Sequence, residues 1–170
     1  MLTRLVTSDD AAAIASLLSA NRAFLSPWDP ERSDAYFTVD AQRTLISTQL
    51  ADFALGALVP HVIVSSSGEL VGRITLNTIV RGPFQSCAVG YWVGESYGGQ
   101  GLASGALASI IKVAFGELGL HRIEAATLLH NERSKRVLAK HGFVRFGLAP
   151  RYLKIAGAWQ DMELFQLLNE

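Results

Sequence analysis

The run Gly98, Gly99, Gln100, Gly101, Leu102, Ala103 and Ser104 stands between a strand-like and a helix-like segment. Glycines let the main chain take positive φ and let a ligand come close to the backbone. A helix that starts here presents unpaired N–H groups and the positive end of its dipole. Together these make a cradle for a pyrophosphate that needs no basic side chain. The same residues also make an ordinary tight strand-to-helix turn. Asn131 and Ser134 form a second cluster, three residues apart on one face of a helix start. They read either as a simple N-cap pair or as two polar groups turned towards a ligand.

Other phosphate loops are excluded. The turn lacks the Gly-Lys-Ser/Thr ending of a nucleotide-triphosphate loop. It also follows a meander, whereas the dinucleotide fingerprint opens a βαβ unit and has an acid about 20 residues on. Glu95 is the carboxylate nearest the turn, a candidate base or a solvated turn residue. The histidines His61, His121, His130 and His141 lack metal-ligand spacing, so no metal is expected. Cys87 is the single cysteine, which rules out an intrachain disulfide and a cysteine-based zinc site. It reads as a core thiol.

The elements that must hold these residues follow from periodicity. Ser8, Asp9 and Asp10 precede a helical pattern from Ala11, which Pro27 stops by disfavouring helical geometry at Ser26. A second helix is predicted over about residues 34–53. After Pro60 the period changes to that of strands, over residues 61–64 and 69–76 with a Ser-Ser-Gly turn between them, and then over 87–93. The glycine turn and a helix from Leu102 follow. Residues 122–128 form a strand, 131–141 a short helix stopped by Gly142, and 143–148 and 159–168 the last two strands, joined through Ala156 and Gly157. The pattern is a mixed α/β sheet in one domain spanning 1–170, with no internal repeat.

Composition narrows the function. The chain has 170 residues, 49% hydrophobic and 18% charged, enough for a single substantial core. Fifteen basic and fifteen acidic residues cancel, so nothing pulls it to nucleic acid or an acidic membrane at long range. Acids near the start and the absence of a run of about 20 apolar residues predict a cytoplasmic protein.

The ordered set residues 90–93, 97–103, 131–134 and 140–143 resembles the GNAT superfamily of N-acetyltransferases. Residues 21–28 and 151–161 are similar to its RimJ/RimL branch, which acetylates ribosomal-protein N-termini, so the resemblance covers nearly the whole chain. It implies a mixed, mostly antiparallel sheet of about seven strands with about four helices, splayed at the fourth and fifth strands. It further implies acetyl-CoA as co-substrate, its pyrophosphate on residues 98–104 and its pantetheine on the backbone of Trp92 and Val93. Asn131 is then expected to bond the pantetheine and Ser134 to hydrogen-bond or protonate the departing thiolate. Tyr152 is a candidate catalytic or acceptor-lining residue, with Asn21, Trp28 and Glu95 at the acceptor. Two positions depart from the branch: Gly98 replaces a basic or amide residue, and Gly105 a glutamate. Arg151 stands where some relatives carry an acid, so that base is not transferred. The implied acceptor is a protein N-terminal amine; a small-molecule amine and a non-catalytic acyl-CoA-binding domain are the alternatives. Apolar segments near the C-terminus suit a homodimer.

Overall fold

The computed structural model describes residues 2–169. Seven strands form one sheet in the order β1-β2-β3-β4-β5-β7-β6. The strands are β1 (Thr3–Leu5), β2 (Val59–Val64), β3 (Leu70–Val80), β4 (Ser86–Val93), β5 (Arg122–Leu128), β6 (Val144–Ile155) and β7 (Ala158–Leu168). Every pairing is antiparallel except β4 with β5. The helices are α1 (Ala11–Ala20), the single turn α2 (Arg22–Leu25), α3 (Val39–Ala54), α4 (Leu102–Lys112) and α5 (Glu132–Lys140).

The sheet buries apolar side chains on both faces, as alternation along its central strands requires. Ile63, Ile74, Val89 and Ile123 pack with Leu107 and Ile110 of α4 on one face. On the other, Val62 packs with Ile14 and Leu18 of α1 and Ile46 of α3. Cys87 belongs to the first core, and burial pushes its thiol up to about 12, so it stays protonated.

The expected elements are present, but the first helix is broken at Asn21, β3 runs on to Val80, and four further differences have local causes. The strand Thr3–Leu5 was not expected; it adds to β2 with Thr3 opposite Ile63. Pro60 lies inside β2 rather than before it, where β1 has already ended, so its missing N–H costs no bond on that side. Its carbonyl accepts from Val6 N at 2.9 Å. The helix predicted over 34–53 is divided at Thr38, whose extended backbone (φ −85°, ψ 153°) and side chain cap α3 by accepting from Ala41 N. The turn before it, Asp34–Phe37, is 3-10. Finally, β6 continues through two register shifts to Ile155 instead of ending near Leu148.

Gly105 also has a visible reason. A Cβ there would run into the Leu2 side chain, so its glycine lets the N-terminal segment lie against α4.

Candidate active site

The parallel pair β4–β5 opens the site. The two strands pair only through Ser86–Arg122, Cys87–Ile123 and Ala88–Glu124, and then part. Residues 89–93 stay with β3 and residues 125–128 stay with β7. Gly72 makes this divergence possible. It sits opposite Val93, and any Cβ there would overlap the Trp92 carbonyl, so only glycine lets the end of β4 lean onto β3. Gly94 N then donates to Val71 O at 2.9 Å.

A cavity of about 520 Å³ fills the gap. It reaches both faces of the sheet, because side chains alternate along the strands that flank it. Tyr91 points to the α5 side, where its hydroxyl lies 3.0 Å from Ser134 Oγ. Arg73, on β3 opposite Trp92, points the other way and donates through Nη2 to Gln49 of α3 at 2.5 Å. Both line the same cavity. Burial raises the Tyr91 phenol above its ordinary value, against a smaller opposing effect of its bond to Ser134. The hydroxyl is thus a proton donor at neutral pH. Thr127 adds a buried hydroxyl, 3% exposed, whose Oγ1 has no partner among the described residues.

Asn131 and Ser134 serve as a cap and also reach the cavity. Asn131 Oδ1 accepts from Ser134 N at 3.1 Å, which opens α5, and both residues line the cavity wall. The two readings of that pair are compatible, because the cap uses the Ser134 amide and leaves its hydroxyl to Tyr91.

The glycine turn follows β4 directly. Residues 95–97 make one 3-10 turn, Gly98 is extended, and Gly99 and Gly101 take φ +75° and +77°. A Cβ at either of the last two would meet nothing within 4 Å, so the backbone there is open on its outer side. Gly101 is the N-cap of α4 and no side chain caps that helix. The first-turn amides of Leu102, Ala103 and Ser104 therefore have no intrahelical acceptor. The Ser104 hydroxyl is engaged elsewhere, 2.8 Å from His141 Nε2. Gln100 Nε2 donates to Ser96 O.

The candidate acceptor residues separate. Trp28 lines the cavity and packs its ring 5.3 Å from that of His130. Trp92 also lines it, whereas Val93 packs in the core. Asn21 is buried and fully used: it donates to Leu17 O and accepts from Glu95 N, both at 2.8 Å, and so clasps the glycine turn to the end of α1. Glu95 and Tyr152 are exposed and lie outside the cavity wall; Tyr152 stands on β6 just after the strained Arg151 (φ 49°). The tyrosine that faces Ser134 is Tyr91. Its position within residues 90–93 was the available signal, but nothing in the strand pattern distinguishes it from a packing aromatic. Arg73 and Thr127 left no motif at all. At the far wall, Ala156 N donates to Asp29 O at 3.0 Å, tying the β6–β7 hairpin tip to the loop after α2.

A sheet opened between parallel strands, followed by an uncapped glycine-rich helix start, is the arrangement that the GNAT resemblance implies. The comparisons agree. Residues 1–144 match the acetyltransferase (GNAT) domain model, and the chain belongs to the GNAT acetyltransferase family. The [ribosomal protein uS5]-alanine N-acetyltransferase of Escherichia coli is 32% identical over 98% of this chain and 87% of its own length. The ribosomal-protein-S5-alanine acetyltransferase from Vibrio fischeri superposes with a TM-score of 0.94 at 36% identity, covering 99% of this chain and 92% of that one. Mycobacterium smegmatis RimJ, solved in complex with CoA-disulfide, gives 0.94 and 36%, covering 98% and 80%. The RimJ/RimL resemblance is therefore borne out, as is the fold, with five helices where about four were expected. Among the described residues no group of three or more metal-binding side chains occurs, and no helix is long and apolar enough to cross a membrane.

Proposed function

We propose that this protein transfers an acetyl group from acetyl-CoA to a protein N-terminal amine. The observation that carries the proposal is the cavity of about 520 Å³ at the β4–β5 gap, lined by Tyr91 and Ser134 on one face and by Trp28, Leu25 and Tyr36 on the other. The family's named uS5-alanine acetyltransferases support the acceptor. The open backbone at Gly99 and Gly101 and the free amides of α4 fit a diphosphate. The unpartnered Thr127 hydroxyl fits a polar chain lying in the gap. When bound, acetyl-CoA supplies an activated acetyl thioester.

The chain's own residues divide the remaining work. Backbone amides of residues 99–104 grip the diphosphate, with the Gln100 side chain packed back on the turn. The freed main-chain groups of Trp92 and Val93 accept an extended ligand as a strand would. Asn131 fixes the start of α5 and so places Ser134. Ser134 Oγ, backed by Tyr91, hands a proton to the departing sulfur. The acceptor enters past Trp28 on the α1–α3 face, with Leu25 and Tyr36 nearby. Asp29 is the one carboxylate on the cavity wall among the described residues, and it is held by Arg32 at 3.0 Å. The acceptor amine therefore arrives neutral from solution and attacks the thioester carbon; as the C–S bond breaks, the nitrogen loses its extra proton to water while the thiolate takes one from Ser134, and alignment does most of the catalysis.

A thiol-release assay with acetyl-CoA tests this, using alanine-led peptides against polyamines and aminoglycosides. Release with the peptides is expected. Release with small polyamines alone would refute the acceptor, and coenzyme A binding without release from any amine would indicate a sensor.

A further inference from the structure

Arg73 is the charge in this cavity that the reaction does not use. It is 7% exposed, and its Nε is buried with no hydrogen-bond partner. Its one side-chain bond among the described residues goes to a neutral amide, Gln49 Oε1. The other arginines around this face behave differently: Arg4 pairs with Asp10, Arg22 with Asp34, Arg32 with Asp29 and Arg43 with Asp40, all within 3.1 Å. Those four are more exposed than Arg73, yet each has a carboxylate. No carboxylate lies within 4 Å of Arg73 among the described residues. Burial even pulls its guanidinium below the usual arginine range, outweighing smaller opposing effects of Tyr36 and of Asp10, which makes no ion pair with it.

Burying a cation unpaired is costly, and a chain could place a glutamine or an aliphatic residue here at less expense. Arg73 lines the cavity together with Trp28, Gln49 and its cross-strand partner Trp92, on the face that carries α1 and α3. Its planar fork matches a carboxylate. The Asp29–Arg32 pair at the mouth is already neutralised and supplies no competing anion.

We infer that Arg73 is a specificity residue that binds a carboxylate carried by the acceptor close to its reacting amine. This deepens the proposed function and rests on its acceptor side. The carboxylate has two possible sources: an acidic side chain at the second position of a protein N-terminus, or the free α-carboxylate of an amino acid.

The test compares isosteric pairs with saturating acetyl-CoA, Ala-Glu-Ala-amide against Ala-Gln-Ala-amide and alanine against alaninamide, with every kcat/KM expressed per unprotonated amine from that acceptor's own titration. The wild-type protein, Arg73→Gln and Arg73→Lys are assayed on all four. The wild type is expected to prefer the carboxylated member of one pair by about tenfold in kcat/KM, mainly through KM. The pair that shows it names the source. Arg73→Gln should erase the preference by lowering kcat/KM for the carboxylated member about tenfold more than for the neutral one, and Arg73→Lys should restore part of it. Equal rates within both pairs, or an equal loss on all four acceptors in Arg73→Gln, would overturn the inference. Turnover of the neutral acceptors reports the acetyl-transfer reading separately. To cover the case of no turnover, the Arg73 Nε–H resonance of the ¹⁵N-labelled, coenzyme-A-loaded protein is followed while each acceptor is titrated. It should move with a carboxylated acceptor and not with its amide; no movement with any of the four refutes the inference independently of catalysis.

Discussion

The Tyr91 hydroxyl lies 3.0 Å from Ser134 Oγ and also reaches the Ser134 carbonyl at 3.5 Å, so their contributions should not be independent. Ser134→Ala and Tyr91→Phe are each expected to lower kcat about a hundredfold when chemistry limits the rate. The double variant should fall little further, and the KM for acetyl-CoA should change little. Single-turnover quench measurements check this, and full activity of Ser134→Ala would contradict it. The pH profile follows from the same residues. Burial holds the Tyr91 phenol protonated beyond its ordinary range, so the donor is not lost as pH rises through neutral values. With Asp29 tied to Arg32, the group that must lose a proton is the acceptor amine. kcat/KM for an alanine-led peptide should therefore climb about tenfold per pH unit and level near pH 8, the ordinary α-amine value. A limb titrating in the carboxylate range instead would reveal a base in the protein.

Elements are held to one another by a few polar clasps, and the first of them is pH-sensitive. Asp10 accepts both Arg4 guanidinium nitrogens at 2.7 and 2.8 Å and the Thr7 amide at 2.8 Å, joining β1 to the start of α1. The Arg4 bond, with a smaller contribution from Thr7, holds its carboxyl below the ordinary aspartate range, against the opposing effect of burial. A depressed folded value means the contribution is present above the unfolded aspartate pKa of about 3.9 and is lost as pH falls through the folded value. Asp10→Asn should cost about 1–2 kcal/mol at pH 7 and much less near pH 2, read from urea midpoints. An equal cost at both pH values would contradict the assignment.

The same scale explains what could be read from the residues alone. The glycine turn, the 122–128 strand and the Asn131 helix start were legible because glycine, β-branched runs and capping residues act locally. Thr3–Leu5 was not, since three residues carry no period and their strand exists only because β2 offers an edge. The break at Thr38 depended on a competing cap, and the length of β6 on bulges that keep its register with β7. Asn21 was legible as a polar residue at a helix end, but its use as a clasp to Glu95 joins positions 74 apart. Arg73 and Thr127 matter only through a cavity that tertiary structure creates.

In the whole molecule, the proposed function has a neutral chain handle its ligands by geometry. Fifteen acids balance fifteen bases, and the turn proposed to cradle the diphosphate offers main-chain amides rather than lysine or arginine. One sheet divides the site: the strands that part beyond Ala88 separate a face built on α4 and α5, proposed for the coenzyme, from a face built on α1 to α3, proposed for the acceptor. In that reading, transfer takes place through the opening between them. A crystal structure of the complex with coenzyme A tests this partition most directly. The diphosphate oxygens should lie about 3 Å from the backbone nitrogens of residues 99–104, with the sulfur beside Ser134 in the β4–β5 gap. A coenzyme bound on the α1–α3 face, or with its diphosphate away from that turn, would contradict the account.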